Sequence, residues 1–181
     1  NNLYIGIVCY DDDPEHIVVS QNRRDGSLTD TDSIQILLDT FHDRQNAFVF
    51  GTSPTGIEYD AQVSKSGQTD QGVVRVGGGQ GGGGGAQSAG AASVNLNWDA
   101  VWQVASQVTA RGWESEMVIP FHTLRYQPGK ERTWGFQVMR NLRRRNEQSF
   151  WTPVSRAFDV TQVDVAGDLE GLDLRLHRDL R

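Results

Sequence analysis

The sequence LYIGIVCY, residues 3–10, shows the pattern that the rest of the chain repeats: apolar side chains recur with a period of two in short runs separated by turn residues. This period is typical of half-buried strands, because successive side chains of a strand point to opposite faces. Helical periodicity is nearly absent. The chain is therefore predicted to be all-β, an antiparallel β-sandwich of the immunoglobulin or jelly-roll type.

The same pattern predicts the strands and two of their connections. Ser53-Pro54-Thr55-Gly56 has the residues of a tight turn and predicts a hairpin over 47–63, and Ala110-Arg111-Gly112 predicts a second hairpin. Residues 120–124 break the alternation and are predicted to form one short helical turn. The predicted strands are 3–10, 17–20, 33–39, 47–52, 56–63, 100–109, 112–119, 133–141 and 148–152.

Between residues 64 and 93 the composition shifts to Gly, Gln, Ser and Ala. Such a tract buries too little apolar surface to offset its ordering entropy, so we predict a long, flexible Gly-rich loop inserted between two strands of one domain. A phosphate-binding loop is not indicated, because no Lys-Ser or Lys-Thr follows the glycines.

Length and charge narrow the classes of function. The chain of 181 residues suits a single domain over 1–181, and its net charge of -6 argues against nucleic acid or anionic lipid as partners. No stretch approaches the roughly 20 apolar residues of a membrane-spanning helix. The one cysteine, Cys9, lies in an alternating apolar run and is predicted to be buried.

Acidic residues follow the first predicted strand and precede the third. Asp11, Asp12 and Asp13, together with Asp32, are the candidate ligands of a calcium ion, which accepts oxygen donors from irregular loops. Aspartate is also a common turn residue that bonds to the local backbone, and that alternative stays open.

A basic turn and one tryptophan are the candidate ligand-binding residues. The turn lies between the last two predicted strands, and its arginine forks suit a carboxylate or phosphate; a merely solvated tip is the alternative. Trp151 follows this polar segment, and an exposed ring there suits the face of a sugar. The candidates are Arg140, Arg143, Arg145, Asn146, Glu147 and Trp151.

No catalytic constellation is visible. The four histidines are isolated, no Gly-x-Ser-x-Gly elbow occurs, and Cys9 has no signature of a catalytic thiol. We therefore expect a binding domain and not an enzyme.

Four segments together carry a family resemblance: LYIGIVCYDDDP (3–14), DSIQILLDTFHDRQNAFVFGTSPTGIEYDA (32–61), NWDAVWQVASQVTARGWESEMVIPFHTLRY (97–126) and WGFQVMRNLRRRNEQSFWTPVSR (134–156). Their order and spacing resemble the carbohydrate-binding module family 9-like domain of bacterial envelope proteins, which precedes an outer-membrane-type β-barrel. The resemblance covers nearly the whole chain except the Gly-rich tract.

The resemblance implies a β-sandwich in the periplasm or at the cell surface, with structural calcium. It also implies a further strand before residue 3, and a C-terminal extension over 160–181 that leads towards the barrel. Sugar-binding relatives hold a sugar between two aromatic rings, and Trp151 matches one of them.

Two functions follow as expectations. The first is a non-catalytic interaction or scaffold subunit that binds a protein partner in a larger envelope or membrane complex. The second is a carbohydrate-binding module that recognises glycan ends through Trp151 and its polar neighbours.

Overall fold

A computed structural model describes residues 1–20, 22–64, 93–156 and 158–174. In these ranges helical structure is confined to three 3-10 turns, Pro14–His16, Arg143–Arg145 and Val163–Val165. The strands are β1 Asn2–Tyr10, β2 Ser33–Asp39, β3 Asn46–Thr52, β4 Tyr59–Ser64, β5 Ser93–Asn95, β6 Gln103–Thr109, β7 Gly112–Pro120, β8 Gly129–Leu142, β9 Glu147–Phe150 and β10 Gly167–Leu174.

The strands form two antiparallel sheets. A three-stranded sheet has the order β1-β7-β6, and a seven-stranded sheet has the order β10-β8-β2-β3-β4-β5, with β9 paired to the far end of β8. The β3–β4 and β6–β7 hairpins are those that the turn residues predict. The all-β sandwich is thus confirmed.

The core between the sheets collects the inward-facing side chains that the period of two predicts. Trp113, Met117 and Ile119 of β7 face Ile36 and Phe50 of the large sheet, and all five are essentially buried. Trp102 lies edge-on to Phe50, with ring centroids 5.2 Å apart. Cys9 at the end of β1 is also buried, as predicted.

The outer face of the large sheet carries a second apolar cluster. Leu37, Val49, Val63 and Met139 point away from the small sheet and are covered by Leu28 and by residues of the loop between β9 and β10. Alternation alone predicts a polar outer face, whereas a sheet covered on both sides has apolar residues on both. Two loops therefore complete this domain.

The strand predicted at residues 17–20 is wrong. This segment has no regular secondary structure and joins neither sheet. Val18 instead donates its N–H to Asp32 Oδ2 and accepts hydrogen bonds from Asp32 N and Thr31 Oγ1. Thr31 and Asp32, which directly precede β2, therefore make the hydrogen bonds to Val18 that a neighbouring strand would otherwise make.

Two strands were not predicted. The three-residue β5 is too short to show a period. In β10 the register against β8 shifts twice, between Leu169 and Leu172 and between Leu172 and Leu174, and these irregularities hide the alternation. The predicted C-terminal extension at 160–181 thus contributes a strand to the large sheet up to Leu174.

The predicted Gly-rich loop lies outside the described residues except at its two ends. Ser64 of β4 pairs with Ser93 of β5, so the tract leaves and re-enters the large sheet at neighbouring positions. No helix in the described ranges is long and apolar enough to cross a membrane.

At two glycines of the small sheet, substitution by alanine is predicted to have different effects on stability. Gly112 has φ +133°, and a Cβ there would clash with the carbonyl oxygen of Cys9 and lie 2.8 Å from Asp11 N. Around Gly6 nothing lies within 4 Å of an added Cβ. Gly112→Ala should lower the free energy of unfolding by about 2 kcal/mol or more, and Gly6→Ala should change it by less than about 1 kcal/mol, in urea denaturation. Equal effects would contradict this assignment.

Candidate functional site

The basic turn forms the tip of the β8–β9 hairpin. Arg143–Arg145 make one 3-10 turn, and Asn146 closes it with φ 51°, in the left-handed region that Asn tolerates better than most residues. The Asn146 N–H donates to Arg143 O at 2.9 Å. We call residues 143–146 the hairpin tip.

The hairpin tip lies against the acidic loop that follows β1. Arg144 pairs with Asp11, whose side chain is almost fully buried. Arg145 donates to both carboxylate oxygens of Asp12, at 2.8 and 2.7 Å, and lowers the pKa of that carboxyl. The basic turn and the acidic loop, which the sequence predicts as two separate candidate sites, thus neutralise each other's charges.

The fourth candidate metal ligand, Asp32, is buried, and its carboxylate accepts hydrogen bonds from two backbone N–H groups. Its Oδ1 accepts from Arg143 N at 2.6 Å, and its Oδ2 accepts from Val18 N at 2.8 Å. Asp13 Oδ1 meets His16 Nδ1 at 2.7 Å. Among the described residues no group of three or more His, Cys, Asp or Glu is arranged to hold a metal, and calcium binding stays a prediction.

A cleft of about 720 Å³ opens beside the hairpin tip. We call it the hairpin-side cleft. Arg143 and Asn146 form part of its rim, and Phe150 and the half-exposed Phe158 supply aromatic surface. Arg143 Nη2 lies 3.3 Å from Asp30 Oδ1, whereas no carboxylate in the described ranges pairs with Arg156 of the same cleft. The cleft offers amides, guanidinium groups and two rings to a ligand.

A second cleft of about 530 Å³ is lined by residues of both sheets and of the hairpin tip. Its lining includes Arg140, Arg145 and Glu147 together with Tyr10 and Arg111. Arg111 stacks 5.8 Å from the centroid of the Tyr10 ring. The structure therefore divides five of the six predicted ligand-binding residues between two clefts.

Trp151 lies in neither cleft. The residue is 55% exposed, and its ring packs over Gly167 and meets Phe136 edge-on with centroids 5.3 Å apart. Among the described residues, Phe136 is the one aromatic ring in contact with Trp151.

Two residues of the hairpin-side cleft were missed in the sequence. Arg156 and Phe158 lie beyond the last predicted strand, in a segment without periodicity. A phenylalanine two positions after an arginine was the available signal for a binding site. No local pattern in the sequence indicates that these two residues lie next to the hairpin tip.

Cys9 does not have the environment of a reactive thiol. Its side chain is buried, and burial raises the pKa of the thiol to about 11. At neutral pH it is therefore a protonated, inaccessible core residue. The expectation that this is not an enzyme stays a prediction.

No family model matches the chain, and no curated protein or solved structure matches it significantly. The resemblance to the carbohydrate-binding module family 9-like domain stays a prediction.

The contact between Arg144 and Asp11 predicts unequal effects of two neighbouring arginines. Arg144→Met leaves the Asp11 carboxylate buried without its partner and should lower the free energy of unfolding by about 3 kcal/mol. Arg145→Met removes an exposed pair and should cost less than about 1 kcal/mol. Urea denaturation measures both, and similar losses would show that the buried pair has no special role.

Proposed function

We propose that this domain is a non-catalytic interaction module of the bacterial envelope, in the periplasm or at the cell surface. In this proposal it binds a protein partner of a larger complex, which adds a strand to the open edge of β1. The observation that carries the proposal is the length and chemistry of that edge.

The register of the β1–β7 pair determines which backbone groups face outwards. In an antiparallel pair, residues that exchange both hydrogen bonds alternate with residues that exchange none. Asp11 N donates to Arg111 O and Phe121 N donates to Asn1 O, so the odd-numbered residues bond to β7. The outward N–H and C=O groups then belong to Asn2, Tyr4, Gly6, Val8 and Tyr10.

Sheet edges in proteins are usually protected by charges, bulges, shortness or a covering segment. In the described part of the chain, β10 carries acidic residues and register shifts, β5 has three residues, and the turn at Gly56 packs against the backbone of Ser106 in β6. Among the residues that the structure describes, β1 shows none of these features. Its nine residues are uncharged, and its nine pairs with β7 run without interruption.

Side chains along β1 add specificity to this edge. Tyr4 and Tyr10 are both 63% exposed and Val8 is 46% exposed, all on the outer face of the small sheet. Strand addition uses main-chain bonds for affinity and alternate side chains for selection. A partner strand with apolar or aromatic residues at alternate positions fits this row.

A peptide tests whether the edge accepts a strand. We expect a fluorescent peptide carrying residues 2–10 with Cys9→Ser, flanked by lysines for solubility, to bind the domain with a Kd in the micromolar range. Hydrogen exchange should slow at Tyr4, Gly6 and Val8 of the domain. Gly6→Lys, which puts a long cationic side chain on this strand, should weaken binding roughly tenfold.

Ala105→Lys is the matched control, because Gly6 and Ala105 both lie opposite Glu116 on the same face, on the two edge strands of the small sheet. This control should bind the peptide like the wild type. Absence of binding, or equal weakening by both lysines, would contradict strand addition at β1.

Carbohydrate binding is the second candidate function, and the hairpin-side cleft favours it. Planar amide groups with aromatic rings suit a sugar, and Asn146, Phe150 and Phe158 supply them here. In this second proposal the sugar would bind in the hairpin-side cleft, whose lining does not include Trp151.

Isothermal titration with soluble oligosaccharides separates the two positions. If the cleft binds a sugar, Phe158→Ala should weaken binding at least tenfold, while Trp151→Ala should leave it within about twofold. Phe41→Ala, which removes an exposed ring beyond the opposite end of β2, is the control. The reverse order of effects would assign the sugar to Trp151, and no binding by any oligosaccharide would remove this candidate.

A further inference from the structure

We propose that the strand added to β1 belongs to a second copy of this chain, and that two domains form a dimer through their β1 edges. The inference rests on the proposed function, because it names the partner of the same edge. The two small sheets would then form one continuous six-stranded antiparallel sheet with the order β6-β7-β1-β1-β7-β6.

The outward backbone groups fix a self-complementary register. Asn2, Tyr4, Gly6, Val8 and Tyr10 are spaced symmetrically about Gly6. If Gly6 faces Gly6 of the second copy, each outward residue faces an outward residue, and about ten backbone hydrogen bonds form across the two-fold axis. A shift by one residue would oppose outward to inward groups and lose these bonds.

Side chains match in the same register on both faces of the sheet. On the outer face, Tyr4 lies opposite Val8 of the second copy, an aromatic and β-branched pair of the kind that stabilises neighbouring strands. On the inner face, Ile5 lies opposite Ile7 of the second copy. Leu3, Ile5 and Ile7 are only partly buried in one domain and pack against its core, so the second copy would extend an existing apolar layer.

Electrostatics permits this pairing. No residue of β1 is charged, and the antiparallel arrangement keeps the two acidic loops at opposite ends of a strand about 30 Å long. Glu116, the acidic residue beside Gly6, would be three strand spacings, about 14 Å, from its counterpart. That separation exceeds the Debye length of about 8 Å at physiological salt.

Gly6 occupies the axis position without steric constraint. Nothing lies within 4 Å of a Cβ added there, so a side chain at Gly6 perturbs the single domain little. In the dimer the same side chain would directly face its copy. Position 6 therefore separates an effect on association from an effect on folding.

Sedimentation velocity of the 181-residue chain from about 1 to 500 µM tests the association. A strand pair alone buries less than a standard interface, so we expect a monomer–dimer equilibrium with a Kd in the micromolar range. Gly6→Lys should raise that Kd roughly tenfold or more, because two ammonium groups meet at the axis. Ala105→Lys should leave it unchanged.

Disulfide trapping tests the register. Facing residues of a hydrogen-bonded pair have Cα atoms about 5.5 Å apart, within the range of a disulfide. Gly6→Cys oxidised by copper phenanthroline and dioxygen should yield a covalent dimer, and Ala105→Cys should stay monomeric. The buried Cys9 does not compete.

The outcomes separate this inference from the proposed function. A chain that stays monomeric at 500 µM and gives no Gly6→Cys dimer overturns the second copy as partner. The β1 peptide can still bind that monomer, which would keep strand addition and assign the edge to a different protein. Dimers insensitive to Gly6→Lys would place self-association elsewhere and also overturn the inference.

Discussion

The seven-stranded sheet buries both of its faces, and buried amide side chains hold the loops that cover the outer one. Asn141 Nδ2 donates to the carbonyl oxygens of Leu28, Thr29 and Thr31 at 3.3, 3.2 and 2.8 Å. Gln137, fully buried on the same strand, accepts from Thr152 N at 3.0 Å and donates to Thr152 O at 3.1 Å. Removing either amide would take hydrogen bonds from backbone groups that are buried or partly buried, which is more costly than the loss of one exposed hydrogen bond.

The hairpin-side cleft depends on those same loops. One of its walls contains Thr29 and Asp30, from the loop fixed by Asn141, and the other contains residues 154–156 and Phe158, from the loop that Thr152 anchors. The cleft is therefore a gap between two covering loops and not a groove in the sheet. Asn141 and Gln137 of β8 hold these two loops in position and so determine the shape of the cleft. Asn141 also lines the cleft, whereas Gln137 does not.

Local patterns in the sequence predicted the strands whose alternation is unbroken, such as β1 and β7, and both hairpins with clear turn residues. They failed at residues 17–20, where Asp32 and Thr31 replace a strand partner, and at β10, where register shifts break the period. The acidic loop and the basic turn were both recognised as candidates, but their mutual pairing was not predicted. Arg144 and Asp11 are 133 positions apart, and a contact over such a distance leaves no trace in local periodicity.

That long-range pair also links the two surfaces of this domain. Asp11 directly follows β1, so its contact with Arg144 fixes the C-terminal end of the edge strand to the hairpin tip. The second cleft begins at that junction, where Tyr10 and Arg111 lie beside Arg145. A strand added to β1 would therefore end next to three side chains that can select its terminal residue. Because Asp11 is buried, displacing the hairpin tip would leave its carboxylate without Arg144, so this pair couples the end of β1 to the hairpin tip.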